Sequence, residues 1–235
     1  MRQQTVRCWM DKIFNIAIDG PAGAGKSTIA RAASAKLGLI YVDTGAIYRS
    51  VGLYVCRKGV GSKDREKIVA MLPEIDIKIV HDAEGKQRMM LNGEDVSEAI
   101  RMPEISIYAS NVSAIPEVRS FLLDLQRDFA RKHGTVMDGR DIGTVVLPDA
   151  ALKIFLTASA EIRAERRYKE LCEKGIETTF EAVLTDMTYR DANDSGRSVA
   201  PLRAAEDAVK LDTSDLSLEE SIQAVITLAE ERMGN

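Results

Sequence analysis

The chain has 235 residues, with 32 Lys and Arg against 36 Asp and Glu and a formal net charge of −4; nucleic acid is not expected as its main partner, because such binders carry a basic field over one face. Its cysteines, Cys8, Cys56 and Cys172, are odd in number, far apart and without metal-ligand spacing, so free thiols in a reducing, cytoplasmic compartment are expected rather than disulfides or a zinc site. No apolar run reaches the ~18 residues of a membrane span, and no membrane association is expected.

Residues 1–11 show no period and lack the apolar stretch of a signal peptide, so they read as a flexible N-terminal extension. Residues 13–19 form a mostly apolar strand candidate that runs into Gly20, Pro21, Ala22, Gly23, Ala24, Gly25, Lys26 and Ser27. These residues fit the phosphate-loop pattern G-x-x-x-x-G-K-[ST]. Glycines let the backbone wrap an anion closely, so that several N–H groups converge on phosphate oxygens at a helix N-terminus. Lys26 is then placed for β- and γ-phosphates and Ser27 for a Mg²⁺ ion, with Thr28 opening an Ala-rich helix over 28–37 that Gly38 stops. The pattern predicts binding of a nucleoside triphosphate on residues 20–28.

A short buried strand over 39–42 leads into Asp43, Thr44, Gly45 and, further on, Arg49. In doubly wound sheets the C-terminal strand ends face the ligand crevice, so these groups fall on the loop's side and point to a second substrate. Residues 50–72 read as helical. From Pro73 the pattern alternates: 75–80 and 87–93 flank a turn over 82–86, a hairpin best placed in an insertion between sheet strands. Helices are predicted over 103–114 and 116–131, each with Pro in its first turn. Pattern alone reads Ser110 as a helix-surface hydroxyl and Arg119 as a solvated arginine.

The next strand, 135–138, ends at Asp138, where a phosphate-loop protein carries the carboxylate that helps hold Mg²⁺ or its waters; Arg140 and Asp141 follow. After a strand over 152–156 comes a helix over 159–173, with Arg163, Arg166 and Arg167 on one side and Ala164, Tyr168, Leu171 and Cys172 opposite. Like charges in such a row repel unless solvent or an anion neutralises them, which leaves a solvated face and an anion-binding lid both open. Thr178 and Glu181 fit a capping box for another helix. That helix carries Arg190, Asp194 and Arg197 before Pro201, as an ion-pair ladder or as a ligand site. Residues 208–212 make a fifth strand and 217–232 a closing amphipathic helix. Five strands with intervening helices predict a parallel α/β sheet covered on both faces, with right-handed crossovers.

Taken together, residues 18–28, 43–49, 138–149, 153–156, 190–197 and 199–202 resemble bacterial cytidylate kinases of the nucleoside monophosphate kinase group. The resemblance implies a P-loop NTPase fold in one kinase domain over 12–235, with core segments 12–72, 132–158 and 198–235. An inserted nucleoside-monophosphate-binding subdomain is then expected over about 73–131 and a short lid over about 159–197. The implied reaction is Mg²⁺-dependent transfer from ATP to CMP or dCMP, giving ADP and CDP or dCDP. By that resemblance Thr44, Arg49, Arg140 and Arg190 contact the acceptor's phosphate, Asp194 takes the ribose hydroxyls, and Ser110, Arg119, Asp141 and Arg197 surround the cytosine. Arg163, Arg166 and Arg167 fall in the lid, and Lys26, Arg140, Arg163, Arg167 and Arg190 are the expected catalytic cations. A monomer follows by analogy alone. The rival readings are a P-loop kinase for another small acceptor, UMP, thymidylate or shikimate, and a GTPase switch; the Asn-Lys-x-Asp guanine-reading motif of the latter is not present.

Overall fold

The structure, a computed structural model, describes residues 13–234, and the extension expected over 1–11 lies outside the described residues. The chain runs β1 (Asn15–Asp19), α1 (Lys26–Leu37), β2 (Ile40–Asp43), α2 (Thr44–Arg57), α3 (Arg65–Met71), β3 (Ile77–His81), β4 (Gln87–Leu91) and β5 (Glu94–Asp95). It continues through α4 (Pro103–Val112), α5 (Pro116–Lys132), β6 (Thr135–Gly139), β7 (Leu152–Thr157), α6 (Ala160–Glu173), α7 (Phe180–Ser195), β8 (Val209–Asp212) and α8 (Leu218–Gly234).

Five strands form one parallel sheet in the order β2, β6, β1, β7, β8. Alternation along the strands decides which helices cover it. Ile16, Ile18, Val136 and Ile154 face α1 and α8 through Ile29, Ala33, Val225 and Ile226, whereas Ala17, Val42 and Met137 point to the opposite side, against Ala130, Ile142 and Val146. With both faces buried, an isoleucine at such a position stabilises the fold by about 1.5–3 kcal/mol. The register sets Asp43 opposite Asp138, and Asp19 opposite Gly139. Three carboxylates therefore gather at the C-terminal edge of the sheet. Helix α1 ends as its sequence predicts, at Gly38 with φ 67°, whose N–H reaches the Ser34 carbonyl.

A second apolar core lies outside the sheet. Ile47, Val51 and Val55 of α2 pack with Ile68, Met89, Leu91, Ile105, Val112, Val118 and Leu122. Gly52 lets α2 and α4 approach, since a Cβ there would stand 3.0 Å from the Ala109 nitrogen. This second core takes in α2 together with the segment that follows position 73, because the apolar face of α2 closes it. The hairpin β3–β4 is strapped to the sheet edge: the Gln87 side chain accepts from the Asp43 N–H at 2.7 Å and donates to the Asp43 carbonyl at 3.3 Å. A smaller cluster joins α6 and α7 through Ala164, Leu171, Val183 and Met187, and takes in Ala22 of the loop.

Several local expectations need correction. Residues 50–72 are not one helix: α2 ends at Arg57, Gly59 turns the chain with φ 67°, and α3 follows. The cap of α7 is Thr179 rather than Thr178, its hydroxyl accepting from the Ala182 N–H at 3.2 Å. Helix α7 stops at Ser195, so Arg197 lies beyond it instead of on its last turn. The short strand β5 and a π-helical turn over Ile142–Val146 carry no signal in the pattern. No described helix is long and apolar enough to cross a membrane.

Candidate active site

The C-terminal ends of β1, β2 and β6 open onto a cavity of about 830 Å³ bordered by the loop, α2, α6 and α7. On one side of it the loop is wedged between β7 and α7. Gly20, with φ 151°, lies so close to the Leu156 carbonyl that any Cβ would collide with it. Residues Ala22, Gly23, Ala24, Gly25, Lys26, Ser27 and Thr28 line the cavity, while Gly20 and Pro21 do not. Those two turn the chain beneath it, and the Pro21 carbonyl accepts from Lys26 Nζ at 2.6 Å.

Lys26 is buried, and burial together with the Arg140 charge pushes its ammonium down to about 7, against the pull of Asp138 and Asp19. Ser27 Oγ donates to Asp138 Oδ2 at 2.8 Å, and the Tyr41 hydroxyl donates to Asp138 Oδ1 at 2.9 Å. Burial and the neighbouring Asp43 raise the Asp138 carboxyl. Ser27 and Asp138 thus offer adjacent hard oxygen donors, the ligand type that suits Mg²⁺.

On the side facing the loop, Asp43 caps α2 by accepting from the Ala46 N–H at 2.9 Å and holds Arg49 Nη2 at 2.6 Å. Burial works to raise Asp43, but Arg49 and that N–H outweigh it and keep the carboxyl below its ordinary range. Thr44 Oγ1 donates to the Asp138 carbonyl at 2.7 Å, tying the start of α2 to β6. Asp194 is 3% exposed and joins two arginines: Arg140 Nε donates to it at 2.6 Å, and Arg197 pairs with its other oxygen. The ladder expected along α7 therefore runs between Asp194, Arg197 and Arg140 and leaves Arg190 out. Arg190 lines the cavity, its Nε is buried without a hydrogen-bond partner, and no described carboxylate stands within 4.0 Å of it. Burial and the adjacent Arg140 push its guanidinium down to about 10.

Ser110 and Arg119 are not the surface groups that helical spacing suggests, for each is 7% exposed. Arg119 pairs with Asp141, donates to the Ser113 carbonyl at 3.1 Å and lies 5.3 Å from the centre of the Tyr48 ring. Ser110 Oγ accepts from Asn193 Nδ2 at 2.9 Å, and Arg197 Nη2 donates to Ser113 Oγ at 2.7 Å. All the acceptor residues singled out from sequence, Thr44, Arg49, Ser110, Arg119, Arg140, Asp141, Arg190, Asp194 and Arg197, line the one cavity.

The arginine row of α6 divides. Arg166 and Arg167 border the cavity, Arg166 donating to the Thr213 carbonyl at 2.7 Å and Arg167 pairing with Glu170 at 2.7 Å. Arg163 departs from the catalytic expectation: it does not line the cavity, and its guanidinium is engaged by Asp191 and the Ala22 carbonyl. Carboxylates thus pair with Arg163 and Arg167, whereas Arg166 bonds only the neutral hydroxyl and carbonyl of Thr213.

Sequence reading missed Asp19, whose two carboxylate oxygens accept from the Ile142 and Gly143 N–H groups at 2.7 Å each and so fix the turn after Asp141. Burial raises its carboxyl to about 6. Its place at the strand end, directly before the loop, was the available signal. Tyr48 and Asn193 were missed as well; each lies within a segment already singled out, beside an arginine or carboxylate.

Residues 16–231 match the family model described as Cytidylate kinase. A relative named Cytidylate kinase from Caldicellulosiruptor saccharolyticus is 53% identical, the match covering 95% of this chain and 99% of the relative. Relatives of the same name from Thermosipho melanesiensis and Exiguobacterium sp. are each 49% identical, over 92% and 94% of this chain and 97% and 99% of their own. With a cavity that joins a phosphate loop to a cluster of arginines, and with half of its residues shared end to end with such relatives, this chain belongs to the cytidylate kinase family.

Proposed function

We propose that this enzyme, which transfers a phosphoryl group from ATP to CMP as its family does, carries out the transfer within the one cavity, with dCMP as a second acceptor. Such a transfer asks little acid–base work of the protein, because a phosphate oxygen of the acceptor is already an anionic nucleophile at neutral pH. It requires two mutually repelling polyanions held in line while the charge of the moving group is spread. Main-chain N–H groups of residues 22–28 and Lys26 receive ATP, and an arriving phosphate restores the full charge that burial takes from Lys26. Across from them Thr44, Arg49, Arg140 and Arg190 receive the acceptor's phosphate, guanidinium being the group that stays charged and binds phosphate oxygens in pairs. Asp194 takes the ribose hydroxyls, and Asp141, Arg119, Ser110 and Arg197 the base. Arg166 and Arg167 approach from the lid side.

Ser27 and Asp138 would hold Mg²⁺, Asp138 kept in place by the Tyr41 hydroxyl. When bound, it would supply positive charge to offset that of the phosphate oxygens. The second core, from α2 through α5, serves as the acceptor-binding unit, and α6 with α7 as the lid. Both substrate sites come from a single chain, which supports a monomer as the working form.

The observation that carries the acceptor assignment is Arg190, a cavity-lining guanidinium with a buried Nε that no described group satisfies. Buried polar groups of this kind are normally paired, so an anion is its natural complement. The test is release of ADP from ATP with a panel of acceptors. CMP and dCMP are expected to drive it well above UMP and thymidylate; ADP release that no cytidine nucleotide stimulates would refute the reading.

A further inference from the structure

Helix α7 carries two sets of side chains. Arg190 and Asp194 serve the acceptor side, whereas Met187 and Asp191, four residues apart and so on one face, meet the phosphate loop. Asp191 Oδ1 accepts from the Ala22 N–H at 3.2 Å, and Asp191 Oδ2 accepts from Arg163 Nη1 at 2.6 Å. Arg163 in turn donates to the Ala22 carbonyl at 2.8 Å and to the Ala158 carbonyl at 3.0 Å. A salt bridge between α6 and α7 thus grips Ala22 by both its N–H and its C=O, with the Arg163 side chain 8% and the Asp191 side chain 22% exposed. The next residue leaves no slack: Gly23 has φ 71°, and a Cβ there would stand 3.0 Å from the Arg163 carbonyl oxygen.

We propose that Asp191 is a positioning residue for the ATP site. Together with Arg163 it sets the orientation of Ala22, and through the chain that follows it aims the N–H groups from Gly23 to Lys26. Asp191 does not line the cavity and so acts through Ala22, not on a nucleotide. The proposal rests on the reading of this loop as the ATP site. It also gives Arg163 its task, because a guanidinium can bond a carboxylate and two carbonyls at once where an ammonium offers no such planar fork.

The test is steady-state kinetics with ATP and CMP varied separately. Asp191→Asn keeps the size of the side chain and can still accept from Ala22, but it removes the charge that faces Arg163. The expected result is a rise of about 10-fold in KM for ATP, the size of one lost charge-assisted hydrogen bond, with KM for CMP changed by less than about twofold. Arg163→Lys should give a smaller effect of the same kind, and the double variant should be no worse than Asp191→Asn alone, since the two act as a unit. Equal rises in both KM values, a fall in kcat with both unchanged, or additive effects in the double variant would overturn the proposal. Should Asp191→Asn fail to fold, the same split in Arg163→Lys decides. CMP-stimulated turnover by the wild type tests the underlying reading separately: if it is normal and the variants show no split, only the role of Asp191 fails.

Discussion

Arg119 and Asp141 meet as an ion pair sealed from solvent, their side chains 7% and 5% exposed. A pair held in such a place carries a desolvation cost on both sides, so it adds little net stability; removing one member, however, strands the other. Its position on the cavity wall, against the Tyr48 ring, makes it the part of the site best suited to a polar heterocycle.

Asp141→Asn tests that assignment. Cytosine carries an amino group where uracil carries a carbonyl, and a carboxylate accepts from the first and repels the second. The ratio of kcat/KM for CMP over UMP should shrink by about 10²-fold. Urea titration should show unfolding free energy reduced by about 3 kcal/mol, because Arg119 loses its counter-charge. An unchanged ratio would remove Asp141 from base recognition.

Ser27→Ala addresses the metal. With one oxygen donor gone from beside Asp138, the Mg²⁺ concentration giving half-maximal turnover should rise about 10-fold or more, while KM for CMP stays near its wild-type value. Chelation should stop wild-type turnover and added Mg²⁺ restore it. A variant with an unshifted Mg²⁺ titration would exclude Ser27 as a ligand.

Lys26 couples activity to pH-dependent stability. Its ammonium sits near 7 in the fold against an ordinary 10.5. Between those values the unfolded chain binds a proton that the folded chain does not, so stability must climb as pH rises across that window. Lys26→Met removes the group: its stability should exceed that of wild type near pH 7, with the gap closing toward pH 10.5, and its turnover should fall by about 10²-fold or more. Parallel stability profiles from paired thermal melts would contradict the burial argument.

Asp19→Ala would leave the Ile142 and Gly143 N–H groups buried and unpaired. A loss of about 2 kcal/mol or more is expected. Because the turn that Asp19 fixes begins right after Asp141, KM for CMP should rise more than KM for ATP, as measured with each substrate varied in turn.

The loop, the sheet and the helices that cover it were legible because their causes are local. A strand buried on both faces is an unbroken apolar run, and a phosphate loop is a fixed spacing of glycines ahead of Lys26. What stayed hidden depends on partners brought from afar. Helical spacing gives Arg119 a face but cannot show that Asp141, 22 residues on, meets it there. The row of Arg163, Arg166 and Arg167 looked uniform on a helical wheel; Asp191, 28 residues beyond Arg163, draws that member of the row onto the loop. Family likeness named the acceptor residues without explaining how they are held. The register that sets Asp43 opposite Asp138, and the Gln87 strap across Asp43, supply that explanation for Thr44 and Arg49.

Helix α2 begins in the crevice with Thr44 and Arg49 and ends as a wall of the second core with Val51 and Val55. Cavity wall and scaffold are therefore two ends of one rod, and on the proposed function the first of these ends is the ligand grip. A methyl group shaved from Val55 should surface as a weaker hold on the acceptor's phosphate even though no residue that touches it has changed, so alleles that look purely structural in this helix ought to be scored by their kinetics.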